Sequence, residues 1–488
     1  MATDLFAEFL RAFPEYQSTT SLDALRASDY ARLEASGQAY LDYTGASLYA
    51  ESQVRQHADL LNGAVLGNPH SASLASAATT DLVERTRRMV LDWFGAAGGY
   101  TAIFTANATG ALKHVAESYP FARGGRLLLT ADNHNSANGM REYAAARGAH
   151  VAYAPISAPE LRIDEAQLGP LLDEVDRGAA NLFVFPAQSN FSGVRHPLEL
   201  VDRARASGWD VLLDAAAFVP TNRLDLARVQ PDFASVSFYK MFGYPTGVGC
   251  LLVRHQALAR LRRPWFAGGT VNFATVGGRH HLRSPGEAGF EDGTLNYLGI
   301  AAVEIGLRHL ASAGLDRVHT RVACLTGWLL GQLVGLHHSN GRPMVRIYGP
   351  LTMAGRGGIV TMNFYDPAGH LLDYRRVEEL ATQHGISLRT GCFCNPGAGE
   401  AAEGITQEDI EAALASRPDL TLPAFLEIIT ARGGKSAGAM RVSFGIASNF
   451  DDARRFAEFA ATLRDQTHLA VGDASFDIES CRVIRDGS

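Results

Sequence analysis

Residues 233–253 read Phe-Ala-Ser-Val-Ser-Phe-Tyr-Lys240-Met-Phe-Gly-Tyr-Pro-Thr-Gly-Val-Gly249-Cys-Leu-Leu-Val, two apolar runs joined by a Gly/Pro-rich connection with one lysine at its mouth. Both runs, FASVSF from Phe233 and VGCLLV from Val248, are short and continuously apolar, as strands covered on both faces are. Upstream the same unit recurs in TAIFT from Thr101, RLLLT from Arg126, HVAYA from His150, NLFVF from Asn181 and DVLLD from Asp210. Helical patterns lie between them, at 109–118 and 136–147. This alternation predicts an α/β fold with a mostly parallel seven-stranded sheet flanked by helices. Ligands of such sheets gather beyond the carboxyl ends of the strands, so the residues just after each run carry the functional signal.

A Gly-rich stretch around Gly268, Gly269 and Gly293 interrupts the theme, and a long helical pattern then starts near Asn296. The reading is a large domain over 38–298 and a smaller α+β domain over 299–466. The smaller one takes the strands VRIYG, IVTMNF and MRVSFG and the helices 376–384 and 451–464. Phe456, Phe459, Ala460 and Leu463 share a helix face at i, i+3, i+4, i+7 spacing, which is a packing face. Residues 1–37 read as helical and pack on the small domain or a partner; 467–488 read as a loose tail.

Of 488 residues 47% are hydrophobic and 19% charged, which excludes a disordered chain. Net charge is -7 with no dense Lys/Arg stretch, which argues against a nucleic-acid partner. No run of about 18 uncharged apolar residues suggests a membrane span, and the N-terminus lacks a basic, export-type start. The expectation is a soluble, cytoplasmic protein. Five cysteines (Cys250, Cys324, Cys392, Cys394, Cys481) in so long a chain are no disulfide framework, and the Cys392/Cys394 pair lacks a second pair for a zinc site, so no metal is expected. Lysine is scarce: only Lys113, Lys240 and Lys435 are candidates for amine chemistry.

Lys240 ends a strand and opens a constrained turn, and Ser237, three residues earlier, can offer a hydroxyl to a phosphate. Asp214 ends DVLLD before three alanines; alone it reads as a cap or turn residue, beside a fixed amine as the partner of a pyridinium nitrogen. His134 follows RLLLT and could lie flat on an aromatic ring. Asn190 follows NLFVF and could reach a ring hydroxyl or simply cap a turn. The turn 106–110 opens a helix whose amides at Ala108 and Thr109, with the Thr109 hydroxyl, suit a phosphate. Together these residues describe a site for pyridoxal 5′-phosphate.

The ordered motifs YLDYTGASLY, GNPHSAS, TANATGALK, DNHNSANGMREYA, DAAAFVPT, SFYKMFGYPTGVG, FEDGTLNYL, LRTGCFCNPGA and MRVSFG resemble the class V aminotransferase and cysteine desulfurase family. The resemblance runs from about Tyr40 to Leu463 and lies nearest the N-terminal, NifS-like part of the molybdenum cofactor sulfurase branch. It implies a fold-type I homodimer with Lys240 binding the cofactor aldehyde, Asp214 on the pyridine nitrogen and His134 stacked on the ring. It also implies Thr109 and Ser237 at the phosphate, Asn190 near the ring oxygen, and Thr294 reaching the phosphate of the neighbouring subunit. Arg389 and Arg441 are placed at the substrate carboxylate, whose planar geometry an arginine fork matches, and Cys394 becomes the sulfur-accepting thiol. Cys394 lies in a Gly/Pro-flanked segment whose flexibility would let the thiol approach and then turn outward. Cys250 and Cys324 read as core. Relative to many desulfurases, Tyr239 replaces a histidine and Ala217 a glutamine, as in the sulfurase branch. Longer sulfurases carry a further C-terminal domain, and this sequence stops at Ser488, which leaves the sulfur acceptor open.

The activity so implied converts L-cysteine to L-alanine with a persulfide on Cys394, passed to a sulfur-acceptor protein or cofactor. A second reading on the same scaffold is another class V enzyme: a C–S lyase, or a decarboxylating or transaminating enzyme. That enzyme would need Lys240 and Asp214 but not Cys394. A sulfur carrier without turnover is disfavoured by the presence of both amine and carboxylate.

Overall fold

A computed structural model describes residues 2–69, 71–416, 428–429, 435–436, 438–477 and 482–484. Cys481 and most of 417–434 lie outside the described residues. All seven expected strands form one sheet: β1 (Tyr100–Thr105), β2 (Arg126–Thr130), β3 (His150–Ala154), β4 (Asn181–Pro186), β5 (Asp210–Asp214), β6 (Phe233–Ser237) and β7 (Gly249–Arg254), in the order β1-β7-β6-β5-β4-β2-β3. Only β7 runs against its neighbours; β2, β3, β4, β5 and β6 pair in parallel. The continuous apolar reading has its reason here: Phe183, Leu212 and Leu252 are fully buried between layers of helices.

Because six strands point the same way, the ends of β1, β2, β4, β5 and β6 open on one edge, with Gly249 at the start of β7 among them. The connection after β6 is held in place by close approach. Gly243 has φ +80°, and a side chain there would collide with the backbone of Leu48 and Tyr49. Gly306 lets the buried helix Tyr297–Ala313 rest on the Phe242 ring, seating the short helix Phe238–Phe242 that carries Lys240.

A smaller α+β unit follows, built on the antiparallel sheet β8 (Val345–Tyr348), β9 (Ile359–Phe364), β10 (Arg389–Gly391) and β11 (Ala439–Ser443), ordered β8-β9-β11-β10. Helix Phe450–Thr462 covers it with Phe456, Phe459 and Ala460 buried, as the spacing predicts. The N-terminal helices pack onto Leu315–Val334 and Phe450–Thr462: Phe9 meets Phe450 at 4.6 Å between ring centres, Arg26 pairs with Asp452 at 2.6 Å, and buried Arg321 reaches Asp23 at 2.6 Å. No single described helix is long and apolar enough to cross a membrane.

Three local expectations need correction. The helix expected over 136–147 is two pieces, Asn135–Asn138 and Met140–Ala146, divided at Gly139. The Gly-rich stretch before Asn296 contains an exposed hairpin, Val271–Ala274 with His281–Arg283, whose short strands carry no inward-facing apolar pattern. Among the described residues, the segment expected as a loose tail is structured and tied to the small unit. It forms a short helix, His468–Val471, and a strand pair, Ser475–Asp477 with Arg482–Ile484; Arg376 Nε donates to Val471 O at 3.0 Å.

Candidate active site

Five strand ends converge. Asp214, 8% exposed at the end of β5, accepts hydrogen bonds on Oδ1 from Ser235 Oγ (3.1 Å) on the neighbouring β6 and from the Ala216 amide (3.0 Å). Both fix its rotamer, and Oδ2 has no protein hydrogen-bond partner among the described residues. Ser237 Oγ accepts from the Ala108 amide at 2.8 Å, at the start of helix Ala108–Ser118. Asn107 caps that helix by accepting from Gly110 N at 2.9 Å, and Thr109 Oγ1 meets Ser136 Oγ at 2.7 Å.

Lys240 lies within the field of these groups. Burial lowers its pKa from the ordinary lysine value; Arg441 and Arg389 push the same way, and Asp214 and Asp42 oppose. His134 accepts on Nδ1 from the Ser136 amide at 3.1 Å, which assigns a ring proton to Nε2. Burial lowers its pKa as well, aided by Lys240 and Arg441 and opposed by Asp214. The ring is therefore neutral near pH 7.

The front of the pocket comes from the small unit. Arg441 on β11 is buried, Arg389 on β10 is half-exposed, and the two stand opposite each other in register. Asp42 bridges them: Oδ1 accepts from Arg441 Nη2 at 3.0 Å and Oδ2 from Arg389 Nε at 2.9 Å. Arg441 Nη1 also donates to Asn190 O at 2.9 Å, and its Nε is buried without a partner. Asn190 turns its side chain away from a lone capping role, donating to Phe393 O (2.8 Å) and accepting from Asn395 Nδ2 (2.9 Å).

Cys394 is thus set at the rim. Its carbonyl accepts from the amide of Asn135 at 2.7 Å, one residue from His134, and its thiol-bearing residue is exposed, like Cys392. Phe393 and Cys394 are both left-handed, φ +54° each, a conformation that L residues adopt at a cost. The expected flexibility of this segment is corrected: Asn395 donates to Asp132 O at 2.7 Å and caps helix Pro396–Glu403, while Gly397 is in close contact with the Ala131 backbone. Gly397 serves close approach. Cys250 and Cys324 are buried, and burial pushes the Cys324 thiol up to about 11, so neither offers a thiolate.

The residues present fit pyridoxal phosphate. Asp214 Oδ2 is unpartnered at the sheet edge, and the amide of Thr109 opens an 11-residue helix for the phosphate. Gly249 lacks a Cβ where one would come 2.5 Å from Asn107 Cα, which lets the start of β7 press against the turn that opens this helix. Thr294 is not brought to this group; it is exposed and accepts from Asn68 Nδ2 at 3.2 Å.

Sequence reasoning passed over Asp42, although it sits in the quoted YLDYTGASLY: an acid between two arginines shows only when segments 347 and 399 residues apart meet. It also missed the buried pair Asp132–His196 (2.7 Å), which holds the loop leading to His134. The adjacency of Asp132, Asn133 and His134 was the available signal.

The aminotransferase class-V family model matches residues 39–456. The chain is 36% identical over 491 residues to a molybdenum cofactor sulfurase of Solanum lycopersicum, covering 93% of this chain and 59% of that protein. It therefore spans about 60% of the length of that curated relative. Its fold superposes on a cysteine desulfurase from Thermococcus onnurineus NA1 with TM-score 0.71 at 22% identity, covering 90% of this chain and 97% of the other. It also superposes on the cystine C–S lyase C-DES in complex with its product cysteine persulfide, with TM-score 0.65 at 17% identity, covering 87% and 97%. With the motif order, the strand-end site and the family match in agreement over most of the chain, the protein belongs to the class-V aminotransferase family, and pyridoxal 5′-phosphate is its cofactor.

Proposed function

We propose that this chain is a cysteine desulfurase-like sulfurtransferase that converts free L-cysteine to L-alanine and carries the sulfur as a persulfide on Cys394. One observation carries the reading: an exposed cysteine whose backbone carbonyl accepts from the amide of Asn135, the residue after His134. When bound, pyridoxal phosphate supplies an electron sink for charge at the substrate Cα. Lys240 Nζ, its pKa depressed by burial, moves the proton at that carbon. Asp214, with Oδ2 directed to no protein group, holds the pyridine nitrogen. Arg441 and Arg389 take the substrate carboxylate, sharing it with Asp42 or displacing it.

The Cys394 thiolate then attacks the substrate sulfur: an S–S bond forms, the Cβ–S bond breaks, and its electron pair stays with Cβ, which a proton converts to the alanine methyl. Exposure of Cys394 suits delivery to an acceptor, a protein or a cofactor, in the cytoplasm. The test is alanine and sulfide formation from L-cysteine: no turnover by the holoenzyme, or undiminished sulfur transfer by Cys394→Ala, refutes it.

A second reading, a C–S lyase that releases sulfur from a sulfur-containing amino acid without Cys394, is favoured by the pinning of its loop at Asn135, Asn190 and Asp132. A cystine or thioether substrate cleaved equally by wild type and Cys394→Ala selects it. The proposal includes a homodimer in which Thr294 serves the partner's phosphate. Phe266, Phe273 and Leu282, apolar and 42–52% exposed, support it, because Gly293 N bonds Gly268 O and ties that surface to Thr294. Sedimentation of a monomer at micromolar concentration contradicts it.

A further inference from the structure

Away from the cofactor pocket, Asp366, His370 and His468 bring three ligand atoms within 4.8 Å of one another. Asp366 follows β9 and is 2% exposed. Its Oδ1 is taken by the amides of Ala368 and His370, both at 2.8 Å, so Oδ2 is the atom left for the rings. Two imidazoles converge on that one oxygen: His468 Nδ1 at 2.9 Å and His370 Nδ1 at 3.2 Å, with ring centres 4.6 Å apart. The His468 amide approaches the same oxygen at 3.3 Å. His468 arrives from 102 residues further along the chain, so the convergence is tertiary.

Two features make the cluster a candidate cation site. Among the described residues, the buried Asp366 carboxylate is paired with these two histidines and with no arginine or lysine. Adjacent ligand atoms around tetrahedral zinc lie about 3.3 Å apart, given Zn–N and Zn–O near 2.0–2.1 Å, so the 2.9 and 3.2 Å separations here admit an ion with little movement of the side chains. The histidine side chains are 61% and 40% exposed, which leaves room for a water as fourth ligand.

We propose that Asp366, His370 and His468 form a zinc site that clamps the C-terminal arm, from Thr467 onward, to the small domain. Each histidine coordinates through Nδ1 with a ring proton on Nε2, so the ion replaces the two Nδ1···Oδ2 hydrogen bonds. Two imidazoles and one carboxylate are a ligand set suited to Zn2+ and to Co2+ as its spectroscopic substitute. Without the ion, the arm is held mainly by bonds such as Arg376 Nε to Val471 O at 3.0 Å and Ala474 N to Asp373 Oδ2 at 3.3 Å.

The experiment uses tag-free, cofactor-loaded protein with Cys392→Ser, Cys394→Ser and Cys481→Ser, which removes the thiols exposed among the described residues, and Cys481 with them, as competing ligands. Zn2+ titration should give one tight ion per chain, Co2+ the intense visible bands of a four-coordinate ion, and Zn2+ slower amide exchange over 468–477. His468→Ala and His370→Ala, each an exposed side chain whose loss the fold tolerates, should weaken binding by about tenfold or more and abolish the exchange effect. Absence of stoichiometric Zn2+ binding, binding unchanged in both histidine variants, or binding without slowed exchange of the arm each overturns the proposal.

Discussion

The back and the front of the pocket are assembled differently. Asp214, Ser237 and Lys240 lie at the end of a strand or within three residues of one, in a sheet whose core is fully buried. Asp42, Arg389, Cys394 and Arg441 come from separate segments; Asp42 and Arg441 are 399 residues apart in sequence. At the back, hydrogen bonds between adjacent strands fix side chains before any ligand arrives. At the front, an acid bridging two arginines and a loop bonded through its backbone carry the geometry. The back is therefore preset by the sheet, while the front depends on how the small unit packs against it.

The sharpest division comes from removing the amine. Lys240→Ala should lower turnover by roughly 10³-fold or more and eliminate the borohydride-trapped cofactor label at that peptide, read by mass mapping; a label found elsewhere would break the assignment of the back wall. Cys394→Ala should lower sulfur transfer by roughly 10²-fold or more yet keep the cofactor's visible absorption, whereas Cys392→Ala should stay within about threefold. Equal losses from the two cysteines would erase the distinction between rim thiols.

Asp42→Asn removes the charge between the two arginines and leaves buried Arg441 uncompensated, an expected loss of about 1–3 kcal/mol in urea unfolding. Arg389→Ala, at a side chain 54% exposed, should cost no more than about 1 kcal/mol. The reverse ranking would mean that Arg389 anchors the front wall.

The smallest effect is a pH slope. The unfolded chain protonates His134 below about pH 6.5, while the folded site, with a lowered pKa set chiefly by burial, resists it. Stability from this residue is therefore complete above that pH and declines as pH falls through the folded value. Between about pH 7.5 and 5.5 wild type should lose more stability than His134→Gln, by less than about 1.4 kcal/mol per pH unit. Identical slopes would show that His134 is protonated as readily folded as unfolded.

Most strands were legible because both faces are buried, which makes apolar runs continuous and their ends easy to place; only the edge strand His150–Ala154 is largely open to solvent. Lys240 and Asp214 were readable for the same reason, each being punctuation after such a run. The hairpin 271–283 was not, since neither of its strands has an apolar face to signal it. The break at Gly139 was hidden because the helical pattern continues across it. The rigidity at Cys394 was misread because glycine signals both freedom and close contact, and only the Ala131 backbone against Gly397 tells which.

By itself the sequence determined the seven strands, their shared open edge and the amine and carboxylate on it, because local hydrophobic pattern and strand ends are written residue by residue. Tertiary structure alone decided that Asp42 would stand between Arg389 and Arg441, that the Cys394 loop would lock onto Asn135 and Asn190, and that His468 would return to Asp366. Those contacts join positions far apart in the chain, and their distances depend on how sheets pack.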